Sequence, residues 1–264
     1  MSRTYAICYN PSMDNSINVM ENLKDLLSSK KVEFTLLDID SLKSGFDFVF
    51  VIGGDGTILK AARFYSKYGS PIFGINLGRL GFLSQASVEN LETSVEQILL
   101  SDYNVEKRMM LRADDYLALN DFVIKGDLSS RTSRFALAIN NKFVCEYLAD
   151  GIIISTPTGS TAYNMAAGGP VLSPDIDAIA ITPICPHTFS ARPIVVSSDD
   201  EIKILPAKNN KYTVSSDGQL VFSLSGELVI KKAEYRANLA LLKNNDFYNV
   251  LRNKLHWGIS PASI

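Results

Sequence analysis

The chain has 264 residues, and its 26 Lys and Arg residues nearly balance 28 Asp and Glu residues, for a net charge of −2. This balance gives no electrostatic footprint for nucleic acid or an anionic membrane surface, so we expect a small-molecule partner. Two His residues and three scattered Cys residues without a C-x-x-C pair nearly exclude a His-based metal centre and argue against a zinc site or a disulfide framework. No signal-peptide pattern opens the chain and no apolar run reaches membrane-spanning length. We therefore expect a cytoplasmic protein, long enough for two modest domains.

The first hundred residues alternate between strand-like and helix-like segments. Strands are predicted at 4–9, 33–37, 48–52 and 71–75, and helices at 16–30, 57–69 and 88–100. A glycine-interrupted loop, NLGRLGFL, follows the fourth strand at 76–83. This alternation predicts an α/β domain with a parallel sheet and helices on its faces.

The stretch FVFVIGGDGT, at 48–57, is the strongest cue in this half. Its apolar run predicts a buried central strand, and its three glycines let backbone N–H groups approach an anionic ligand closely. Asp55 is the only side chain left at the tip of the turn before Thr57. Open α/β sheets bind ligands at this end of their strands, so Asp55 is a candidate catalytic group. A tight turn with a helix-capping Asp is the alternative.

The second half has short strand-like runs separated by turns. They lie at 116–119, 134–139, 142–147, 152–155, 178–182, 201–205, 219–223 and 227–230. Asn140-Asn141 and Asp217-Gly218 predict hairpin turns. We expect a mostly β domain at 101–245 after an α/β domain at 1–100 that the tail, 246–264, completes.

The stretch from 149 to 174, ADGIIISTPTGSTAYNMAAGGPVLSP, predicts a buried strand, a turn and a short helix at 160–167. Hydroxyl groups crowd the amino end of that helix, which favours an anion or polar-ligand site with Thr161 as its first candidate. A Ser/Thr-rich capped turn explains the same residues. The stretch lacks the Lys of a P-loop and the chain has no G-x-G-x-x-G, so neither a P-loop NTPase nor a standard Rossmann dinucleotide site is predicted.

The ordered motifs resemble those of the NAD kinases, which transfer the terminal phosphoryl of ATP to the 2′-hydroxyl on the adenosine ribose of NAD. The similarity covers nearly the whole chain: GGDGT at 53, NLGRLGFL at 76, ND at 120, STPTGSTAY at 155, AGGP at 167 and SSDGQ at 215. GGDGT is shared with lipid kinases and phosphofructokinases, whereas STPTGSTAY is much more specific. The resemblance implies an α/β domain, a β domain and a tail that returns to the first.

For the GGDG turn, the resemblance implies that Asp55 hydrogen-bonds the ribose 2′-hydroxyl and accepts its proton. It places Gly56 as a backbone contact to NAD. Lys60, one helical turn on, lies where the family often has a polar or basic contact, although an ordinary solvated lysine is equally compatible with the sequence.

For the second half, the resemblance implies that Asn120 reads the adenine edge and that Asp121, often Glu in relatives, holds ribose hydroxyls. Asp150 matches a second carboxylate, toward the nicotinamide half. Thr161, Ala162 and Tyr163 match the turn that contacts NAD.

Other positions carry the resemblance less well. Ala166 stands where many relatives have Ser, and Leu148 where they often have a basic residue, which puts polar contacts there in doubt. Arg131 and Gln219 occupy binding positions by spacing, and Arg131 also fits a solvated charge cluster.

The resemblance implies an ATP-dependent NAD kinase, and we expect it to use a divalent cation, Mg²⁺, to neutralise the phosphates. The alternatives are a lipid or sugar kinase with the same GGDG strand, or a catalytically silent dinucleotide-binding module. Family habit alone suggests a homodimer or homotetramer.

The tail, 246–259, is predicted to form an amphipathic helix that docks on the first domain and clamps the two domains. Its apolar stripe is Phe247, Val250, Leu251 and Leu255, and Asp246 can cap its start.

Overall fold

The computed structural model describes residues 3–78, 81–126, 132–206, 212–243 and 246–255. The chain divides into two compact units: Met1–Lys107 together with Asn238–Ile264, and Arg108–Ala237. Both boundaries fall inside long strands, whereas the predicted limits lie at 101 and 246.

The strands of the described residues are, in chain order, β1 (Tyr5–Tyr9), β2 (Phe34–Asp38), β3 (Phe48–Ile52), β4 (Ile72–Ile75), β5 (Tyr103–Ala113), β6 (Tyr116–Ala118), β7 (Asp121–Gly126), β8 (Ser133–Ile139), β9 (Lys142–Ala149), β10 (Gly151–Ser155), β11 (Ala178–Ile184), β12 (Ile194–Ser197), β13 (Ile202–Pro206), β14 (Tyr212–Ser216), β15 (Leu220–Leu224) and β16 (Leu228–Leu242). The helices are α1 (Ser16–Ser29), α2 (Asp55–Tyr65), α3 (Leu91–Leu99), α4 (Tyr163–Ala166) and α5 (Phe247–Leu255). Short 3₁₀ turns occur at Val88–Asn90 and Thr158–Thr161.

The first unit is built on a parallel sheet with the order β2-β1-β3-β4, extended by the last part of β16 beside β4. Strand β3 is buried along its whole length, as predicted. Because β2 and β3 lie on opposite sides of β1, the chain changes direction between β1 and β3, which is where open α/β sheets bind ligands. The GGDG turn follows β3 at this point.

The core of the first unit forms where α1 and α3 cover the sheet. Val19, Leu23 and Leu27 of α1 and Val95 and Ile98 of α3 are buried in one apolar cluster with the aromatic residues of β3. Their spacing places each set on a single helix face. The predicted α/β architecture of this half is confirmed.

Helix α5 belongs to the first unit by chain position. Val250 and Leu251 are buried, and the backbone N–H of Asn249 donates to the Asp246 carboxylate at 2.8 Å, which is the predicted cap. Residues 252–254, on the opposite face of this amphipathic helix, are exposed. The predicted extension to 259 lies outside the described residues beyond Leu255.

The second unit is a mostly antiparallel β structure with two sheets. One has the order β12-β11-β10-β7-β14-β15, and the other contains β13, β8 and β9 beside the first part of β16. Buried side chains from both sheets form one core, including Phe122 and Ile152 from the first and Phe135 and Ile202 from the second. The predicted β domain is therefore confirmed, and positive φ angles at Asn140-Asn141 and Asp217-Gly218 confirm both hairpin turns.

Several elements differ from the sequence-based expectation. Strands β5, β7, β12 and β14 are not predicted at all, and β16 is predicted only at 227–230. The sequence does not predict the rest of β16, because residues 231–236 are mostly charged. In the structure, Lys231 and Lys232 form ion pairs with Glu201 and Asp199. The helix predicted from Thr57 begins two residues earlier, at Asp55.

Candidate functional site

The GGDG turn places Asp55 at the first residue of α2. Gly53 has a φ of +154°, and a Cβ there would lie 2.3 Å from Thr57 Oγ1, so the turn needs glycine. The backbone N–H of Thr57 donates to the Gly54 carbonyl at 2.9 Å, which closes the first turn. Asp55 is half-buried at the start of the helix, where the positive end of the helix dipole favours a negative charge.

The Asp55 carboxylate is fixed by the loop that follows β4. Oδ2 accepts the Phe82 N–H at 2.9 Å and Oδ1 accepts the Leu83 N–H at 3.3 Å. A Cβ on Gly81 would lie only 1.8 Å from Asp55 Oδ1. Glycine at this position is therefore what allows the carboxylate to reach its two donors.

The loop itself is held by buried polar side chains. Ser84 Oγ accepts the Gly81 N–H at 2.7 Å and the Asn76 side-chain amide at 3.2 Å. Asn76 Oδ1 accepts the Gly78 N–H at 2.8 Å. The N–H groups that contact Asp55 are thus held in place by bonds within the same loop.

Two other predicted residues lie on α2. Gly56 is exposed. The ammonium of Lys60 forms an ion pair with the exposed carboxylate of Asp40, so this side chain has a surface partner within its own unit. Contact of either residue with NAD stays a prediction.

In the second unit, Asn120 and Asp121 lie where β7 begins. Asp121 is buried, and burial, together with the charge of Asp217, raises the pKa of the Asp121 carboxyl to about 7. At neutral pH this carboxyl is therefore partly protonated and can donate as well as accept a hydrogen bond.

The turn after β10 packs against the backbone of Asn120. Thr156 Oγ1 donates to the Leu119 carbonyl at 2.6 Å and accepts the Gly159 N–H at 3.0 Å. A Cβ on Gly159 would lie 2.1 Å from the Asn120 carbonyl oxygen. The ND and TPTGST motifs, 36 residues apart at their first residues, thus form one local structure.

The short helix predicted at 160–167 is confirmed only at Tyr163–Ala166, the single-turn helix α4. Residues Thr158–Thr161 form a 3₁₀ turn instead, and Ala162 separates the two in a non-helical conformation. The hydroxyl groups are engaged within the turn: Ser160 Oγ donates to Pro157 O at 2.6 Å and Thr161 Oγ1 to Thr158 O at 3.3 Å. These bonds compete with regular helix geometry and tighten the turn.

Asp150 lies just beyond the other end of β10, roughly 20 Å along the strand direction from Thr156. Asp150 is exposed, and its Oδ1 lies 4.0 Å from His187 Nε2. The exposed ring of Tyr163 faces the Lys125 ammonium, 5.6 Å from the ring centroid. Lys125 pairs with Gly151, the residue after Asp150, so the backbone of Lys125 lies at the same end of the strand as Asp150.

The remaining predicted residues are placed as follows. Ala162 is half-buried, and Ala166 and Gln219 are exposed. Arg131 lies outside the described residues, so its role is untested.

Sequence reasoning missed four residues that contact the predicted ones. Phe82 and Leu83 donate their backbone N–H groups to Asp55, Lys125 faces the ring of Tyr163, and Asp217 accepts the N–H of Asn120. The backbone donors leave no side-chain signal, although the glycines of NLGRLGFL mark their loop. The sequence places Asp217 in a predicted hairpin turn and in the SSDGQ motif, but neither indicates its contact with the backbone of Asn120 and Asp121. Among the described residues, no group of three or more His, Cys, Asp or Glu side chains is placed to hold a metal ion. In the same part of the chain, no helix has the length and apolarity needed to cross a membrane.

Two family models match this chain. The ATP-NAD kinase N-terminal domain matches residues 2–103, and the ATP-NAD kinase C-terminal domain matches residues 119–242. Among curated relatives, the NAD kinase of Thermoanaerobacter sp. (strain X514) is 44% identical over 79% of this chain and 78% of its own length. The NAD kinase of Clostridium botulinum (strain Loch Maree / Type A3) is 36% identical over 97% of both chains.

Solved structures show the same fold. An NAD kinase from Archaeoglobus fulgidus, crystallised in complex with ATP, superposes with a TM-score of 0.81 at 30% identity over 96% of this chain and 98% of its own. Yeast NADH kinase, crystallised with NADH, superposes with a TM-score of 0.86 at 23% identity over 98% of this chain and 89% of its own. Family models, curated relatives and fold agree, and the chain belongs to the NAD kinase family.

Proposed function

We propose that Asp55 is the catalytic carboxylate of this NAD kinase and that it orients the ribose 2′-hydroxyl for attack on the terminal phosphoryl of ATP. The observation that carries this assignment is the pair of backbone N–H groups, from Phe82 and Leu83, that fix one carboxylate oxygen each. Each oxygen of a carboxylate has two lone pairs, so one acceptor site per oxygen is left for the hydroxyl.

Fixed geometry suits this reaction. In a loose phosphoryl-transfer transition state the attacking oxygen carries little charge, so positioning contributes more than early proton removal. Asp55 then receives the proton as the new O–P bond forms and the bond from phosphorus to ADP breaks. Because its carboxylate is already oriented, little conformational freedom is lost when the substrate binds.

ATP approaches the GGDG turn in this proposal, with its phosphates near the glycine N–H groups and the start of α2. The ATP complex of the Archaeoglobus relative supports a nucleoside triphosphate as the phosphoryl donor. The ATP phosphates would hold the divalent cation, Mg²⁺ in this proposal, since Mg²⁺ keeps several waters and is usually held by phosphates with one or two carboxylates.

NAD contacts the second unit at two groups of residues. Asn120 and Asp121 bind the adenosine, and the partly neutral carboxyl of Asp121 can donate to one ribose oxygen and accept from another. Asp150 contacts the nicotinamide half, and Thr161, Ala162 and Tyr163 form the turn that contacts NAD. The separation of Asp121 and Asp150 by the length of β10 supports two subsites for the two ends of one dinucleotide.

Self-association as a homodimer or homotetramer is part of the proposal. Large apolar side chains of the second unit are exposed, and Phe189 is fully exposed. Light scattering after size-exclusion chromatography measures the mass directly. A monomer at all concentrations contradicts this part.

A cytoplasmic location is supported by three free cysteines, one of them exposed.

The decisive assay incubates the purified protein with ATP, Mg²⁺ and NAD and measures NADP with an NADP-dependent dehydrogenase. Asp55→Asn is the matched negative control, because it keeps the shape of the side chain and replaces one carboxylate oxygen by an amide nitrogen. EDTA should abolish NADP formation, and added Mg²⁺ should restore it. NADP formation that proceeds equally in the Asp55→Asn protein contradicts the proposed mechanism. The lipid or sugar kinase alternative finds no support in the similarities above.

A further inference from the structure

Asp217 lies in the hairpin turn between β14 and β15, with φ of +50°, followed by Gly218 with φ of +67°. Its carboxylate accepts hydrogen bonds from three successive backbone N–H groups. Oδ2 accepts from Leu119 at 3.1 Å, and Oδ1 accepts from Asn120 at 2.7 Å and from Asp121 at 3.3 Å. The residue is only 9% exposed, so water does not readily replace these bonds.

The same turn is tied to this segment by two further bonds. The Asp217 N–H donates to the Asp121 carbonyl at 2.9 Å, and Ser216 Oγ donates to the Leu117 carbonyl at 2.6 Å. A segment that leads from β6 into β7 is thus fastened to a turn nearly a hundred residues later in the chain. Hydrogen bonds to a charged group are among the stronger ones in proteins.

These bonds act on the backbone of Asn120 and Asp121. The direction of a side chain follows from the φ and ψ angles of its residue, so holding both N–H groups also fixes where the amide and the carboxyl point. The other side of the Asn120 backbone is already confined, because Gly159 approaches its carbonyl too closely for any side chain. Asp217 therefore completes the support of the pair.

We propose that Asp217 is a positioning residue for NAD: its carboxylate orients Asn120 and Asp121 through their backbone N–H groups and so sets the affinity for the adenosine half. The proposal rests on the adenosine role assigned above to that pair. Burial and the nearby charge of Asp217 also keep the pKa of Asp121 near neutrality, which makes the carboxyl a possible donor. Asp217 itself makes no contact with NAD in this proposal.

Three variants test the assignment. Asp217→Ala removes all three acceptors, and the KM and the Kd for NAD should rise about 10- to 100-fold, while kcat at saturation and the KM for ATP change less than about twofold. Asp217→Asn tolerates the left-handed backbone and keeps one acceptor oxygen, so its effect on NAD should be smaller. The matched control is Asp114→Ala, an exposed Asp with φ of +48° in the β5–β6 turn, which should leave NAD affinity unchanged.

A double-mutant cycle distinguishes positioning from direct contact. If Asp217 acts through its neighbour, Asp217→Ala should have much less effect on the Kd for NAD in an Asn120→Ala background than in the wild type. Full additivity, or a Kd in the Asp217→Ala and Asp217→Asn proteins equal to that of Asp114→Ala, overturns the proposal. If Asn120→Ala alone leaves NAD binding unchanged, the adenosine assignment fails and the role of Asp217 falls with it.

Discussion

Asp55 and Asp121 are both carboxylates next to a strand end, but the two units support them in opposite ways. Asp55 is half-buried, and its own oxygens accept two backbone N–H groups. Asp121 is buried, and the carboxylate that accepts the N–H groups nearby belongs to Asp217. The proposed catalytic group is thus oriented directly, whereas the proposed binding pair is oriented through its backbone. Changes at Asp55 should therefore act on kcat, and changes around Asp121 on NAD affinity.

The largest effect is expected for Asp55→Asn. This variant should lower kcat by roughly 10² to 10⁴ and leave the Kd for NAD nearly unchanged, because it removes a positioned acceptor of the hydroxyl proton. Steady-state kinetics and calorimetric titration with NAD measure the two quantities. Asp25→Asn, at an exposed position of α1, is the control. A near-normal kcat would remove Asp55 from the mechanism.

Gly81→Ala tests whether the carboxylate must keep its place. The new Cβ would overlap Asp55 Oδ1, and the flexible side chain rather than the backbone should move. We expect kcat to fall about 10- to 100-fold with little loss of stability. Gly78→Ala is the matched control in the same loop, because among the described residues a Cβ there meets no atom within 4 Å beyond its chain neighbours. Equal kcat values for the two variants would show that the observed carboxylate position is not needed.

Asn120→Ala and Asp121→Ala test the other side of the comparison. Their proposed contacts hold adenosine in both the ground and transition states, so the KM for NAD should rise about tenfold while kcat changes little. The KM for ATP should be less affected. An unchanged KM for NAD in both proteins would remove the adenosine role from this pair.

Truncation after residue 245 tests how much the first unit depends on α5. Burying a Val or Leu side chain contributes about 1.5–3 kcal/mol, and Val250 and Leu251 are both buried. We expect the melting temperature to fall by about 10 °C. Thermal unfolding followed by circular dichroism gives the result. A shortened protein with wild-type melting temperature and wild-type NADP formation contradicts a structural role for the tail.

The smallest effect concerns the pH dependence of stability at Asp121. The pKa of its carboxyl is raised from 3.8 to about 7, so between these pH values the folded protein holds a proton that the unfolded chain has lost. The free energy of unfolding from this group therefore decreases as pH rises toward and through 7. Asp121→Asn cannot titrate, and its melting temperature relative to wild type should rise by a few °C between pH 5 and pH 8. A constant difference would contradict the raised pKa.

How much the sequence predicts follows from how local each feature is. The strand, glycines, Asp55 and the start of α2 lie within ten residues, so pattern and turn chemistry suffice to predict them. Asp217 is 96 residues from Asp121, and the sequence offers no signal that its side chain returns to that backbone. The helix predicted at 160–167 is only partly formed for another reason. The apolar and hydroxyl pattern fits a helix, but hydrogen bonds from the Ser160 and Thr161 hydroxyls to nearby carbonyls favour the 3₁₀ turn.

The close approach of Gly81 to Asp55 offers a way to recognise inactive relatives. If Asp55 acts as proposed, a chain can keep GGDG intact and still react more slowly when a side chain occupies the position of Gly81, because the carboxylate then loses its observed place. Position 81 and position 55 are therefore under one joint constraint, although they lie 26 residues apart. When such chains are sorted into enzymes and silent nucleotide-binding proteins, the glycine is a second marker beside the aspartate.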